Sequence, residues 1–204
     1  MQIIEGYSHL NGEEYLIVHH KDTYEEIIDV IHTLDAEKCK TKVSREHRKK
    51  DRLLYSPEDL NCEFKRLFYQ RNWTSVCYPY YVTTDYSIMQ KLLALPLDHQ
   101  KEFLIGKGVF SPIYTFKQTD LVKENISVEV RFDECPFVAH DLFVKHQLFY
   151  SGGIIDVGVE ILPMKSMQAE MSSEIAYYEG EVYNVLRHGR NDLPVPLLII
   201  GVGP

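Results

Sequence analysis

The sequence lacks several features that would assign it to a specialised class. It has no uninterrupted apolar run near the roughly 20 residues that a helix needs to cross a bilayer, so a membrane span is excluded. Its N-terminus has neither the basic region nor the long apolar core of a secretory signal. The four cysteines are scattered and form no CxxC pair, which argues against a zinc site or a disulfide framework. We therefore expect a cytoplasmic protein with no membrane partner.

The size and composition are those of an ordinary globular protein. The chain has 204 residues, of which 45% are hydrophobic and 25% are charged. This length suffices for one substantial core. Because the sequence contains neither an internal repeat nor a low-complexity linker, we expect a single domain over residues 1–204.

The charge is unevenly distributed along the chain. The net charge is −8, but residues 38–52 contain eight Lys or Arg and only two acids. Such a concentrated basic segment on an acidic chain predicts a face that binds polyanions. Two alternatives stay open, namely a solvated loop without a partner and a docking site for an acidic protein.

Helix signals dominate the first third of the chain. Thr23 and Glu26 have the spacing of a capping box, which predicts a helix that runs to Leu34. Ser56 precedes a proline and two acids, so we expect it to cap a second helix. The Asn11-Gly12 pair predicts either a hairpin turn or a loop.

Strands and helices alternate in the rest of the chain, which predicts an α/β fold with a central mixed β-sheet flanked by helices. Aromatic and β-branched composition, periodicity and turn residues give the following expected elements: strands at 73–83, 154–162 and 197–200, a helix in two pieces at 85–105, and helices at 137–150 and 173–188.

Asp120, Glu129 and Arg131 have the most informative spacing in the sequence. Residues 126–132 alternate apolar and polar side chains, so Glu129 and Arg131 share one face of a predicted strand. Residues 114–119 read as a strand that runs into a turn, and a hairpin would bring Asp120 to the same place. Two carboxylates and a cation in this arrangement can hold Mg²⁺ and grip a phosphodiester. The alternative is an exposed, salt-bridged hairpin.

Longer strings of residues carry a family resemblance. The chain resembles the type II restriction endonucleases of the PD-(D/E)XK superfamily, in particular the group of BstYI, BamHI and BglII. The matching strings include Asp120 with Glu129-Val130-Arg131-Phe132, residues 141–146, residues 156–164, Met171-Ser172-Ser173 and residues 177–181. The resemblance runs from about Tyr7 to the last strand. It implies a restriction-endonuclease-like fold and a homodimer that cuts palindromic double-stranded DNA.

The resemblance also implies a chemistry and its residues. Asp120 and Glu129 would be the acids that bind Mg²⁺, with the main-chain carbonyl of Val130 as a further ligand. The site would contain an inner GATC, in an RGATCY-like pattern, and the products would have four-base 5′ overhangs and 5′-phosphates. Arg131 departs from the family pattern, which has Lys or Gln there. A guanidinium that stays protonated cannot act as a base, so Arg131 would instead clamp a phosphate, orient water, or pair with the acids and compete with the metal.

The DNA contacts implied by the resemblance are more scattered. Ser172 and Ser173 match a segment that reads the outer base pair, although capping a helix near Glu174 would explain them equally well. Glu134 stands where the family pattern has a lysine, which puts the outer-base preference in doubt. Lys40, Lys42 and Arg45 are candidate backbone or minor-groove contacts, and Lys145 is a candidate phosphate contact. For each lysine, ordinary surface solubility is the alternative.

A second function is compatible with the same residues. If the guanidinium of Arg131 displaces the metal ion, the protein would bind DNA at a specific sequence without cutting it. The histidines at 19, 20, 140 and 146 are explained by polar surface or by satisfied core positions.

Overall fold

The structure is a computed structural model that describes residues 1–132, 135–188 and 192–204. Its strands are β1 (Gln2–His9), β2 (Lys42–Val43), β3 (Leu53–Leu54), β4 (Thr74–Val82), β5 (Ile113–Lys123), β6 (Ile126–Val130), β7 (Val157–Pro163) and β8 (Leu197–Gly203). Its α-helices are α1 (Gly12–His19), α2 (Lys21–Thr33), α3 (Pro57–Tyr69), α4 (Tyr86–Leu92), α5 (Leu97–Gly106), α6 (Cys135–His140), α7 (His146–Ser151), α8 (Lys165–Gln168) and α9 (Tyr178–His188). A π-helical turn (Asp141–Lys145) joins α6 to α7.

The chain divides into two compact units. The first unit contains residues 1–75 and 119–204, and the second contains residues 76–118. In the first unit the strands follow the order β1-β8-β7-β6-β5. β7 is parallel to β6 and β8, whereas β1 and β5 are antiparallel to their neighbours. The expected mixed α/β sheet is therefore confirmed, and the assignment of one domain to the whole chain stays a prediction.

Alternation along the central strands sends apolar side chains to both faces of the sheet. On one face, strand residues such as Val128 and Val159 pack with Ile27 of α2 and Phe64 of α3. On the other face, residues such as Ile199 pack in a second core with the helices that follow β6 and with α9. Glu129 lies one position from Val128 and therefore points to this second face, beneath the helical segment 135–151.

Helix α3 follows its sequence signals closely. The Ser56 hydroxyl accepts a hydrogen bond from the amide of Asp59 at 3.2 Å, as expected for a capping serine. Phe64 is fully buried and stacks on Phe132, with the ring centroids 5.8 Å apart. Because Phe132 comes just after β6, this stack fixes α3 against the strand that carries Glu129.

The second unit contains the predicted helical pair. Helices α4 and α5 meet around Pro96, as the sequence predicted, and Asp85 caps α4 by accepting from the amides of Ser87 and Ile88. Within this unit, β4 confirms the strand predicted from aromatic and β-branched residues. The Gln100 side chain connects α5 to β4 by accepting a hydrogen bond from the amide of Tyr81 at 3.1 Å.

Tertiary contacts override the sequence signals at several element ends. The capping box at Thr23 is wrong: α2 begins at Lys21, and the Thr23 hydroxyl donates to Glu124 at 2.6 Å. The hairpin alternative at Asn11 is also wrong, because helix α1 rather than a second strand follows β1, with Asn11 at its N-cap in a left-handed conformation (φ 61°). The next position requires glycine, because a Cβ on Gly12 would lie 2.4 Å from the backbone of Leu197. Among the helices described, none has the length and apolarity required to span a bilayer.

Candidate active site

The β5–β6 hairpin places Asp120 and Glu129 on neighbouring strands. Leu121 pairs with Val128 in antiparallel register, and each acid lies one residue beyond this pair on its own strand. The turn of the hairpin is formed by Glu124 and Asn125, whose φ angles are 49° and 61°. The prediction that Asp120 lies in the turn is therefore wrong, because β5 continues to Lys123. Asp120 and Glu129 nevertheless lie on adjacent strands of the hairpin, and their meeting at one metal site stays a prediction.

Glu129 is buried and its carboxylate is surrounded by donors. Its Oε1 accepts a hydrogen bond from the Thr119 hydroxyl at 2.6 Å and lies 2.6 Å from Nζ of Lys145. Its Oε2 lies 3.0 Å from a terminal nitrogen of Arg131. Only 4% of the Glu129 side chain is exposed, so these contacts must compensate for the loss of hydration.

Arg131 bridges two carboxylates. Its Nε donates to Asp141, and its terminal nitrogen reaches Glu129. Burial by itself lowers the pKa of Arg131, but the charges of Glu129 and Asp141 outweigh this effect and raise its pKa above the ordinary value. Arg131 is therefore permanently charged and cannot accept a proton, as the sequence predicted. We call Glu129, Arg131, Asp141 and Lys145 the inner cluster.

Lys145 is part of the core of this site. Its side chain is 9% exposed and its Nζ lies 3.7 Å from Asp141, one helical turn earlier. The surface-solubility alternative for Lys145 is therefore wrong. A phosphate contact by Lys145 stays a prediction, and it would require the ammonium to turn away from Glu129.

Asp120 is held by a different lysine in a more open setting. Nζ of Lys65, on α3, lies 2.6 Å from Oδ2 of Asp120. The side chains are 45% and 31% exposed, respectively. Burial lowers the pKa of Lys65, but the hydrogen bond and charge of Asp120 outweigh it and raise that pKa above the ordinary value.

A buried chain of polar residues lies behind the inner cluster. The Ser127 hydroxyl lies 3.0 Å from Nδ1 of His146, and Nε2 of His146 lies 3.0 Å from Oε1 of Glu160. Burial lowers the pKa of His146 to about 4, whereas burial and the nearby charges of Asp141 and Glu129 raise the pKa of Glu160. Because its pKa lies well below 7, His146 is neutral near pH 7.

The order serine, histidine, glutamate resembles a nucleophilic triad, but the burial of these residues excludes that role for an external substrate. His146 and Glu160 are 2% and 0% exposed. Both ring nitrogens of His146 instead have hydrogen-bond partners inside the core, Ser127 and Glu160. For His146, the satisfied core position expected from sequence is confirmed.

The donor set suits a hard divalent cation. Carboxylate oxygens are the ligands that Mg²⁺ prefers, and Asp120 and Glu129 each already hold a cationic ammonium within 2.6 Å. Within the described ranges there is no group of three or more His, Cys, Asp or Glu side chains arranged as a metal site. A metal at Asp120 and Glu129 would therefore rely on two carboxylates, main-chain oxygen and water. Val130 as the main-chain ligand stays a prediction.

The predicted DNA-contact residues from two distant segments meet on one surface. Nζ of Lys42 donates to the Ser172 hydroxyl at 2.6 Å, and Nζ of Lys40 reaches Glu170 at the same distance. The Ser173 hydroxyl and amide both donate to Glu46. We call Lys40, Lys42, Glu46, Ser172 and Ser173 the lysine–serine surface.

The structure also bears on the remaining residues that were predicted to contact DNA. Arg45 is exposed beside this surface. The helix-capping alternative for Ser172 and Ser173 is wrong, because α9 begins only at Tyr178. Glu134 lies outside the described residues.

Sequence reasoning missed Lys65, Thr119, Asp141 and Glu160 as parts of the site. The four-residue spacing of Asp141 and Lys145 was a usable signal, since such pairs share a helix face. A second usable signal was Glu160, an acid inside an otherwise apolar strand. Lys65 gave no comparable signal, because its partner lies 55 positions away.

Both the sequence and the fold are similar to those of known proteins. The profile of the family "Restriction endonuclease BglII/BglIII" matches residues 4–202. The crystal structure of restriction endonuclease BglII complexed with a DNA 16-mer has a TM-score of 0.67 and 17% identity, over 100% of this chain and 79% of that chain. Free BglII has a TM-score of 0.57 and 16% identity, over 100% and 80%. No curated protein sequence matches the chain significantly. The fold is therefore that of restriction endonuclease BglII.

Proposed function

The chain belongs to the BglII/BglIII family of restriction endonucleases and is thus a type II site-specific deoxyribonuclease, and from this premise we propose a specific reaction. The proposed reaction is Mg²⁺-dependent hydrolysis of double-stranded DNA at a palindromic, RGATCY-like site with an inner GATC. The products carry 5′-phosphates and four-base 5′ overhangs. The resemblance of the matching strings to BstYI supports this choice of site.

The observation that carries the proposal is the placement of Asp120 and Glu129 on the adjacent strands β5 and β6, each one residue beyond the Leu121–Val128 pair. In the proposed site these carboxylates, with the Val130 carbonyl, hold Mg²⁺. When bound, the ion would polarise the scissile phosphate and lower the pKa of a water molecule. Thr119 and Lys145 hold the Glu129 carboxylate in one orientation, which keeps its oxygens in a fixed position.

Arg131 is proposed to act as a fixed cation. Its contacts with Glu129 and Asp141 hold the guanidinium at the edge of the site, where it favours the negative charge that grows on a phosphate. A general-base role is excluded by its permanent charge.

DNA recognition is proposed to involve the lysine–serine surface. Lys40, Lys42 and Arg45 would contact the backbone, and Ser172 and Ser173 would face the outer base pair, where hydroxyls tolerate more than one base. Lys145 remains a candidate phosphate contact and Glu134 a candidate for outer-base preference. We further propose a cytoplasmic homodimer of single-domain chains, because a twofold protein matches a palindromic site.

Cleavage of plasmid DNA in Mg²⁺ tests the proposal directly. Discrete fragments are expected, and run-off sequencing of their ends gives the site and the cut position. Asp120→Asn and Glu129→Gln should each reduce cleavage by about a hundredfold or more while DNA binding in Ca²⁺ persists. Glu63→Gln is a matched control, because Glu63 pairs only locally with Arg66 on α3 in the contacts described. Turnover like that of the wild type in either Asp120→Asn or Glu129→Gln would remove the proposed metal ligands.

One observation favours a second candidate function, sequence-specific DNA binding with impaired cleavage. The guanidinium of Arg131 contacts Glu129, the same carboxylate that the metal needs. The variant Arg131→Gln distinguishes between the two candidate functions. If Arg131 is a fixed cation of an active enzyme, the wild type cuts and the variant is slower by about a hundredfold. If Arg131 blocks the metal, the wild type retards DNA without cutting it and the variant gains cleavage.

A further inference from the structure

The two lysines of the candidate active site occupy unequal positions. Lys145 is 9% exposed beside the buried Glu129, whereas Lys65 is 45% exposed beside Asp120. Breaking a buried ion pair is strongly unfavourable because it leaves a charge without hydration. An ion pair that is open to water is worth little, so its partners separate readily. Of these two pairs, Lys65–Asp120 is therefore the one that can open at low cost.

The backbone beneath Lys65 is fixed even though its ammonium is accessible. The preceding residue, Phe64, is fully buried and stacks on Phe132, next to the strand of Glu129. The position of Lys65 relative to the two acids is thus set by core packing. Its flexible side chain still allows the ammonium to move several ångströms while the backbone stays in place.

A divalent ion bound at Asp120 would weaken the ion pair between Lys65 and Asp120. The ion and the ammonium would compete for the same carboxylate oxygens and would repel each other. Lys65 also lines an open concavity together with Lys42, Thr41 and the acids Glu58 and Asp59 at the start of α3. A phosphate group in this concavity would offer the displaced ammonium a new anionic partner.

We propose that Lys65 is an exchangeable active-site cation, which holds Asp120 in the metal-free protein and moves to a DNA phosphate oxygen when a divalent ion takes the carboxylate. This inference rests on the proposed function, because it needs Asp120 as a metal ligand. It assigns to Lys65 a contact with DNA and a competition with metal, neither of which follows from its sequence context.

Lys65→Met in the full chain tests the proposal by two measurements that do not require turnover. Titration calorimetry with Mn²⁺ and no DNA should show metal affinity tightened by about threefold to fivefold, because the competing ammonium is gone. Binding of a palindromic duplex in Ca²⁺ should show a salt slope, log Kd against log salt, reduced by about one. Lys65→Arg should retain the slope of the wild type because the charge is preserved.

Two controls separate this role from a merely structural one. Lys123→Met removes a comparable ion pair, 2.9 Å from Glu26 with both side chains about a quarter exposed, and should change neither quantity. In an Asp120→Asn background, Lys65→Met should no longer tighten Mn²⁺ binding, because the carboxylate under competition is absent.

The outcomes distinguish this inference from the proposed function. If the wild type cuts DNA but Lys65→Met changes neither metal affinity nor salt slope, the exchange is overturned and the nuclease stands. If the wild type binds metal and DNA without cutting, the cleavage proposal fails, and the two measurements still decide the role of Lys65. If the wild type takes up no Mn²⁺, both proposals are overturned.

Discussion

The inner cluster and the lysine–serine surface contain the same kinds of charged groups but hold them in opposite ways. In the inner cluster, Glu129 and Asp141 have side chains only 4% exposed, and both contact Lys145 and Arg131. On the lysine–serine surface, Lys42 and Ser173 are exposed to solvent. Charges in the first region are coupled to folding, whereas charges in the second are available for a partner. Burial, rather than residue type, decides this difference.

The comparison is tested most strongly by removing one cation from each region. Lys145→Met leaves Glu129 and Asp141 buried with one cation fewer, so the free energy of unfolding should fall by about 3–5 kcal/mol. Lys42→Met, the same substitution on the surface, should change it by about 0.5 kcal/mol or less. Urea denaturation followed by circular dichroism measures both. Equal effects of the two substitutions would contradict the contrast between the regions.

The pH dependence of stability sharpens the description of the buried side of the site. Because the folded protein lowers the pKa of His146 to about 4, this residue contributes stability above its unfolded pKa that is lost as pH falls. Glu160 has a raised pKa, so its contribution is present at low pH and is lost as pH rises. Between about pH 4.5 and 6.5 the two trends oppose each other.

Glu160→Gln removes one of these opposing trends. The unfolding free energy of the variant, relative to that of the wild type, should rise by up to about 1.4 kcal/mol per pH unit between pH 5 and 6. Denaturant titrations at closely spaced pH values provide the measurement. Parallel pH profiles for the variant and the wild type would show that Glu160 does not keep its proton in the folded protein.

Lys42→Met, which should have the smallest effect on stability, should have a clear effect on DNA binding. Lys42→Met should reduce the salt slope of duplex binding in Ca²⁺ by about one, because a phosphate contact releases about one counterion. Lys21→Met is the control, since Lys21 lies on α2, outside the basic segment, and pairs with the exposed Glu25. A slope unchanged by Lys42→Met would assign the basic segment to solubility instead.

Local signals predicted the elements whose stability is local. The Ser56 cap and the apolar stripe of α3 were predicted correctly, and the sheet strands β4 to β8 follow their apolar patterns. The start of α2 was predicted incorrectly because Thr23 bonds to Glu124, 101 positions away, instead of capping its own helix. The start of α9 was placed five residues early, where Ser173 instead donates to Glu46.

The sequence by itself determined which acids lie on the hairpin and that Arg131 is a permanent cation, because alternation and intrinsic pKa are local properties. Only the tertiary structure decided that Lys65 meets Asp120 and that Lys145 meets Glu129. These partners belong to different elements, and their distances depend on how α3 and the helical segment after β6 pack on the sheet. The degree of burial of each ion pair, and hence its effect on folding or binding, arises from that packing.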